Sequence, residues 1–395
     1  MKNSKISILH YLCSFLIASL LYGCSKEEDY QPESSFIKIF DDGSFESDYD
    51  PIDMVQAGEN GFFILSAYDS WNTYILRVDE EGNFMWDFKL DDSYVNPIKG
   101  LYFQDSAFYF FCMDDVTLGT YLMKATDAGK NAVVDKSFGN ILYPLHSSQV
   151  SDGFLLESYN RESYSTRLTK LDVGFDTRWS EEYKVEQDVE EPIISHLTRI
   201  GERLPFFTGQ AGDKYFLNGY FNYSMSMIFV NGNDGSQTGV VNGFREKSAI
   251  SAAQYLNGNS FALSRFSFDD NFIMAKIDIN TSSIAISSDL AGGKHPEMTQ
   301  NARVYIKSLD VNGRNISLYA TSTKAGQILL YAFDALNGKL IGTHHIGRIN
   351  PYEAVGFVQT ADGGLLVLAT TYVNGRFPRI ALIKLSEKEL IGFAS

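Results

Sequence analysis

Basic residues are scarce in this sequence. Lys and Arg number 33 against 49 Asp and Glu, so the formal net charge is −16. Proteins that bind nucleic acid need Lys and Arg to neutralise phosphates. A surface this acidic therefore argues against nucleic acid as a partner.

Catalytic and metal-binding signatures are also lacking. The chain has no Gly-x-Ser-x-Gly nucleophile motif and no Gly-rich phosphate loop. The histidines beyond the N-terminal segment show no metal-ligand spacing. They are His146, His196, His295, His344 and His345. No catalytic residue, metal ion or dissociable cofactor is predicted.

Long apolar runs are absent except at the N-terminus. Residues 6–21 are almost wholly apolar and follow Lys2 and Lys5, which is the pattern of a secretory signal peptide. The run is too short and too poorly flanked for a stable membrane span. Residues 1–23 are therefore predicted to be a signal peptide that is removed.

Cysteine is rare, with three residues in the chain, of which Cys13 lies in the predicted signal peptide. Residues 21–24 (LYGC) resemble the lipobox of bacterial lipoproteins. The resemblance implies that Cys24 is lipidated on its sulfur and becomes the new N-terminus. An ordinary signal peptide that is cleaved elsewhere is the alternative.

Lipidation of Cys24 would leave only Cys112, so no intramolecular disulfide is expected. Cys112 ends the apolar stretch 108–112 (FYFFC) and is predicted to be a small buried hydrophobic residue. The covalent lipid is the only cofactor expected. Acyl chains contribute about 0.8 kcal/mol per buried CH₂, so two or three chains would hold the protein on a membrane that it does not cross.

Residues 25–29 (SKEED) resemble the acidic export signal of surface lipoproteins of the Bacteroidota. The resemblance implies an outer-membrane protein that faces the cell exterior. A solvated acidic tether is the alternative, and both can hold at once. Residues 24–35 are polar and lack periodicity, so we predict a lipidated flexible tether.

The rest of the chain repeats one unit, best seen in residues 51–90. The unit begins with an apolar strand, a tight turn and a second strand. A longer loop then leads to a third strand that ends near Asp, and another turn leads to a fourth strand. The units recur about every 45 to 55 residues, which is typical of four-stranded propeller blades. The units show no apolar period of 3.6 residues, so no helix is predicted. Residues 36–395 are therefore predicted to form an all-β, seven-bladed β-propeller of antiparallel blades.

The repeat also resembles those of secreted Bacteroidota propellers. The matching segments are residues 361–365 (ADGGL), 170–172 (KLD) and 78–86, which end in Trp86. The resemblance spans residues 36–395 and implies the propeller fold and a cell-surface location, but it assigns no ligand.

The last unit has three clear strands and only the stub 390–393 (LIGF) for a fourth. Phe36–Phe40 precedes the first unit and has the pattern of a fourth strand. We expect it to form the outer strand of the last blade, so that the ring closes and no long strand edge stays open.

The two faces of such a propeller differ in their loops. Turns between first and second strands, and between third and fourth strands, are tight and share one face. The opposite face carries longer and dissimilar loops, which are where binding usually occurs. The candidate binding residues on these loops are Tyr68, Trp71, Tyr159, Tyr164, Tyr372 and Phe377.

These features favour a surface-anchored, non-catalytic binding module that captures a glycan or peptide beside an uptake channel, or binds a protein partner. Aromatic side chains beside carboxylates suit both kinds of ligand. One alternative is a scaffold subunit of an envelope assembly complex. Another is a propeller glycan hydrolase or lyase, which would need a pair of carboxylates about 5 to 10 Å apart.

Overall fold

The computed structural model describes residues 35–41, 47–58, 61–245, 247–347, 350–373 and 376–395. The predicted signal peptide 1–23, Cys24 and the tether up to residue 34 lie outside the described residues. Their predicted roles stay predictions.

The strands run in successive antiparallel groups, each joined by short turns. The first group is β2 (Tyr49–Gln56), β3 (Phe62–Tyr68), β4 (Asn72–Val78) and β5 (Phe84–Lys89). The short β6 (Tyr94–Val95) links it to the second group, which is β7 (Tyr102–Gln104), β8 (Ala107–Asp114), β9 (Gly119–Thr126) and β10 (Asn131–Leu142). The third group is β11 (Pro144–Val150), β12 (Gly153–Asn160), β13 (Ser165–Leu171) and β14 (Thr177–Lys184).

Helix α1 (Glu190–Thr198) precedes the fourth group, which is β15 (Phe207–Ala211), β16 (Lys214–Phe221), β17 (Ser224–Asn231) and β18 (Gln237–Asn242). The fifth group is β19 (Ser248–Asn257), β20 (Ser260–Ser267), β21 (Asp270–Asp278) and the short β23 (Gly293–Lys294), which pairs with β21. Between β21 and β23 lie β22 (Ile284–Ile286), which pairs in parallel with β18, and a 3-10 helix at Ser287–Asp289. The sixth group is β24 (Val304–Val311), β25 (Arg314–Ser322), β26 (Ile328–Asp334) and β27 (Leu340–Ile346).

The last group combines both ends of the described chain. It contains β28 (Tyr352–Gln359), β29 (Leu365–Val373), β30 (Phe377–Leu385) and, at its edge, β1 (Phe36–Phe40), which pairs antiparallel with β30. Phe36 lies opposite Lys384, and Phe40 lies opposite Ile380. The fold is all-β, and its succession of four-stranded antiparallel groups is the organisation of a β-propeller.

The core is divided into clusters that lie between neighbouring groups. On β3, Phe63 stacks on Phe108 of the second group with ring centroids 4.0 Å apart. The adjacent Ile64 points to the other side and packs in a cluster with Leu366 and Leu382 of the last group. Successive side chains of a strand alternate between faces, so a strand buried on both faces is apolar throughout. This explains why the second and third strands are continuous apolar runs.

Cys112 lies in the cluster between the first and second groups and is fully buried. Burial raises the pKa of its thiol above the ordinary value. The prediction that Cys112 is a buried hydrophobic residue is confirmed.

Polar contacts also join neighbouring groups at their tight turns. The buried Arg77 forms an ion pair of 2.9 Å with Asp127 of the second group, and Trp86 Nε1 donates to the same carboxylate at 3.1 Å. Trp179, at the equivalent place in the third group, donates to the Gly232 carbonyl of the fourth at 3.1 Å. Trp86, the Trp of the sequence repeat, therefore connects neighbouring groups.

Two helices depart from the sequence prediction. The stub at 390–393 is not a strand but part of α2 (Glu387–Ala394), which begins with a capping box between Ser386 and Glu389. The prediction that the repeat contains no helical period was also wrong at α1, where Ile193 and Leu197 are buried four residues apart. A helix of nine residues offers too few apolar repeats to give a clear periodic signal. Among the described residues, no helix has the length and apolar character needed to cross a membrane.

One buried acid stands out between the third and fourth groups. Glu157 on β12 is fully buried, and neither carboxylate oxygen has a described hydrogen-bond partner. A side chain at Gly219 would begin only 2.4 Å from Glu157 Oε1, so the fit is tight. Burial raises the pKa of Glu157 well above its ordinary value. The native protein thus holds this proton at pH values where the unfolded chain has released it.

The Glu157→Gln variant should therefore be more stable than the parent at pH 8. The stability contributed by the neutral acid is complete below the pKa of the unfolded chain and is lost as pH rises towards the raised native pKa. We expect a gain of about 1–3 kcal/mol at pH 8, because each unit by which the native pKa exceeds that of the unfolded chain corresponds to about 1.4 kcal/mol, and almost none at pH 4. Thermal unfolding across this range measures it, with the exposed Glu81→Gln as control. A difference independent of pH would contradict the prediction.

Candidate functional site: the wide-loop face

The loops between the second and third strands of each group share one face of the molecule with the connections between groups, and we call it the wide-loop face. Five consecutive groups each place one large apolar side chain on it, between 43% and 81% exposed. These residues are Trp71, Val116, Tyr164, Tyr223 and Phe268. Exposed apolar residues scattered singly need no explanation, but a series on one face indicates an interaction surface.

Other exposed apolar residues enlarge this surface. Ile194 and Ile200 belong to the segment around α1, and Phe244 belongs to the connection between the fourth and fifth groups. Among the described residues, eight large exposed apolar side chains lie on the wide-loop face. The opposite, tight-turn face also has exposed apolar side chains at its turns or within two residues of them, namely Phe84, Met85, Phe103, Val173, Ile284, Leu336 and Leu340. What distinguishes the wide-loop face is that one such side chain recurs in the same loop of five consecutive groups.

Two of the aromatic residues adopt a backbone conformation that aromatic residues rarely use. Tyr164 and Phe268 both have a φ of 48°. Phe268 and Asp269 (φ of 73°) form the two-residue turn between β20 and β21, where Asn and Gly are strongly preferred. The left-handed region costs roughly 1–2 kcal/mol for an ordinary residue. The backbone of both residues bonds to neighbouring connections, since the Tyr164 carbonyl accepts from the Val185 amide at 2.7 Å and the Phe268 amide donates to the Lys247 carbonyl at 2.8 Å. Their rings are exposed, which favours a role in binding.

Exposed carboxylates accompany most of these apolar side chains. Asp69, Asp115, Glu162 and Asp269 lie within two residues of Trp71, Val116, Tyr164 and Phe268, respectively, and all four are exposed. The loop with Tyr223 has no acid of its own between its strands. The face thus combines apolar side chains with negative charge, which suits a partner with basic residues around an apolar surface.

The six binding residues predicted from sequence differ in how exposed their side chains are. Trp71 and Tyr164 are exposed, whereas Tyr159 is fully buried, with its ring centroid 6.3 Å from that of Tyr143. Tyr68 is nearly buried and lies under the Lys89 ammonium, 4.5 Å from the ring centroid.

The other two predicted residues are half-buried. The Tyr372 hydroxyl donates to Glu353 Oε1 at 2.9 Å, and Phe377 lies beside the Arg379 guanidinium. The tip of their loop, residues 374 and 375, lies outside the described residues. The binding role of all six residues stays a prediction, and exposure favours Trp71 and Tyr164.

Sequence reasoning did not select Val116, Tyr223 and Phe268 as binding residues. Each occupies the same short loop as Trp71 and Tyr164 in its own group. An alignment of the repeats by loop position would have found them, because the signal is the recurrence of one apolar residue in an otherwise polar turn.

A second missed feature lies at the centre of the face. The connection 186–206, which contains α1 and which we call the plug, reaches across to distant groups. Arg199 donates to the Pro97 carbonyl at 2.6 Å and to the Ser70 carbonyl at 3.3 Å, and Arg203 forms an ion pair with Asp50. The plug therefore extends across the wide-loop face as far as the first group and its connection to the second.

Beneath the plug lies a cavity of about 1180 Å³. Residues from the first strand of every group, or from the segment just before it, line its wall. Its two acids on β2 are already engaged. Asp50 pairs with Arg203, and Asp53 accepts the backbone amides of Gly100 and Leu101 at 3.0 Å each. Among the described residues, no group of three or more His, Cys, Asp or Glu side chains is placed to hold a metal ion.

No model of a protein family matches this chain, and no curated protein matches it. Solved structures resemble it at low identity. The structure of the Dos1 propeller is 12% identical, with a TM-score of 0.49, and the match covers 85% of this chain and 77% of that one. The β-propeller domain of the Trilobed protease from Pyrococcus furiosus is also 12% identical, with a TM-score of 0.48, covering 86% of this chain and 95% of that one. The fold assignment rests on the strand order described above.

Proposed function

We propose that this chain is a non-catalytic binding module whose wide-loop face docks a protein partner. The observation that carries the proposal is the series of exposed apolar side chains on five consecutive loops, two of them on strained backbone. A pocket for one sugar ring would concentrate its aromatic residues at one place. A series spread over five loops and the plug suits a protein interface, which buries about 800 Å² on each partner.

We further propose that the strand groups form seven blades and that β1 closes the ring. Three observations support this arrangement. β1 pairs with β30, one core cluster combines side chains of the first and last groups, and residues of every group line one central cavity. A closed ring would fix the five loops relative to one another, so the face would be preorganised for binding.

A glycan hydrolase or lyase is the less favoured function. Such an enzyme needs a free pair of carboxylates in its cleft. Of the four acids that line the cavity, Asp50 and Asp53 are held by Arg203 and by backbone amides, and Glu191 and Glu202 are exposed at its edge. A scaffold subunit of an envelope assembly would use the same wide-loop face, so the identity of the partner distinguishes that role from nutrient uptake.

We also propose that lipidated Cys24 anchors the protein to the outer membrane, facing the cell exterior. The proposal rests on the sequence alone, since these residues lie outside the described part of the chain. Twelve steps along the chain separate Cys24 from Phe36, the first residue of β1. At about 3.3–3.6 Å per residue, the tether spans at most roughly 40 Å. The domain would therefore meet partners that lie close to the membrane surface.

The docking proposal is tested by a triple variant, Trp71→Ala with Tyr164→Ala and Phe268→Ala. Aromatic anchors at the centre of an interface commonly contribute about 2 kcal/mol or more each, so the variant should lose its partner. Its melting temperature should not fall, because the three side chains are exposed. The measurement is quantitative mass spectrometry of proteins purified with the lipoprotein in mild detergent.

The matched control removes three apolar side chains from the tight-turn face, Phe103→Ala with Val173→Ala and Leu336→Ala. It should retain the partner. Zero-length carbodiimide should in addition link wide-loop carboxylates such as Asp69 or Glu162 to lysines of that partner. Loss of the partner in the control but not in the first variant would refute the face assignment.

The anchor is tested by Cys24→Ala. Without the sulfur no thioether to lipid can form, so incorporation of labelled palmitate should be abolished. The protein should leave the membrane fraction or keep its uncleaved signal peptide. Cys112→Ala is the control and should not change labelling, because Cys112 is buried. Unchanged acylation of Cys24→Ala would contradict the proposed anchor.

A further inference from the structure

The interior of the central cavity carries charge of the opposite sign to the chain as a whole. Six cationic side chains line it, against four acidic ones. The cations are Lys99, Arg199, Arg203, Arg245, Arg303 and Lys307, and the acids are Asp50, Asp53, Glu191 and Glu202. Arg245, Lys307, Glu191 and Glu202 are exposed, so four cations and two acids are the less exposed charges of the lining. A chain with a net charge of −16 thus encloses a cationic interior.

The arginines form ion pairs with carboxylates, whereas the two lysines interact with the Asp53 carboxylate only at longer range. Asp50 is 3.6 Å from Arg199 and pairs with Arg203, while Arg303 lies 3.2 Å from Glu353. Neither Lys99 nor Lys307 forms an ion pair with any described carboxylate.

Lys99 extends across the cavity from the second group. Its ammonium lies 4.0 Å from the ring centroid of Tyr305 in the sixth group and donates to the Val355 carbonyl of the last group at 3.3 Å. Lys307 follows Tyr305 by two residues on β24, so it lies on the same face of the strand. Burial lowers the pKa of both lysines, the charge of Asp53 opposes this effect on both, and the charge of Lys99 lowers the pKa of Lys307. The two ammonium groups therefore repel one another inside the cavity.

Other donors in the wall lack hydrogen-bond partners. The Ser251 hydroxyl is buried and has no described hydrogen-bond partner, and Arg199 Nε is buried and makes only the 3.6 Å ion pair with Asp50. The Arg199 side chain is 7% exposed, and both residues line the cavity. Unpaired buried donors of this kind are unfavourable unless something accepts from them.

We infer that the central cavity binds a small organic anion with two or more carboxylate or phosphate groups, held between Lys99 and Lys307. Such a ligand would replace repulsion between the two ammonium groups with two charge-assisted hydrogen bonds. At about 1180 Å³ the cavity is larger than the usual ligand site of about 300–1000 Å³, so a single inorganic ion would leave most of it unfilled.

The ligand would enter from the tight-turn face. The plug covers the opposite end through its contacts with Asp50, Ser70 and Pro97. Lys307 is solvent-exposed although it lines the cavity, so water reaches the cavity at its level. This site is independent of the proposed docking face, and either proposal can fail without the other.

The test uses the mature lipoprotein in mild detergent. Thermal unfolding and calorimetric titration are measured with citrate for the carboxylate arm and with pyrophosphate for the phosphate arm. Maltose is the neutral control, and NaCl at matched ionic strength controls for screening. At least one of the two anions should raise the melting temperature and give a measurable binding heat, whereas maltose and NaCl should not.

Lys307→Met keeps the length of the side chain and removes its charge. It should weaken binding of the effective anion at least about tenfold, the change expected from losing roughly 1.4 kcal/mol. Its melting temperature without ligand should stay equal or rise, because repulsion by Lys99 is relieved. The exposed Lys388→Met should bind as the parent does.

Lys99→Met should weaken binding similarly, but it also loses the contacts with Tyr305 and Val355 and can lower stability. Lys307→Met is therefore the deciding variant. Two results would overturn the proposal. The first is that neither anion stabilises the protein beyond NaCl, and the second is that Lys307→Met binds the effective anion with the affinity of the parent.

Discussion

The burial of both faces of each sheet is the constraint on which the rest of the structure depends. Phe63 and Ile64 are neighbours on β3, yet one packs on the second group and the other on the last group. A sheet with two apolar faces needs a neighbouring sheet packed against each face. Each group is therefore fixed between the groups before and after it. The first strands, placed at the inner edge, line a common cavity as a result.

The same constraint separates the roles of the two faces. At the tight turns, side chains join neighbouring groups through ion pairs and hydrogen bonds. Arg77 forms an ion pair with Asp127, and Lys276 donates to the Leu336 carbonyl at 2.6 Å. Residues on that face are thus needed for assembly. The wide loops bond to the neighbouring connections through their backbone, as the Trp71 carbonyl does to the Asn96 amide at 2.6 Å. Their side chains are the part that the fold leaves exposed, such as Tyr164 and Phe268 on strained backbone.

Much of the fold could be predicted from sequence because a strand buried on both faces is visible as an apolar run between turn residues. The all-β propeller organisation and the burial of Cys112 follow from that signal. The helices were missed for local reasons. α2 depends on a capping box at Ser386 and Glu389, and α1 buries only Ile193 and Leu197. The sites were harder, since Tyr159 and Tyr164 look equivalent in sequence but only Tyr164 is exposed. Lys99 and Lys307 are more than 200 positions apart, so no sequence pattern could place them in one cavity.

The claim that the wide-loop face is the binding face can be tested by blocking each face in turn. In the mature chain Cys24 is predicted to carry lipid and Cys112 is buried, so one introduced cysteine would be the accessible thiol. Glu162→Cys places it on the wide-loop face, and Glu80→Cys places it at a tight turn. Each variant is coupled to a bulky maleimide polyethylene glycol, and the partner that remains bound is quantified. The account predicts that the polymer at position 162 prevents partner binding and that the polymer at position 80 does not. Retention of the partner with position 162 blocked, and its loss with position 80 blocked, would contradict it.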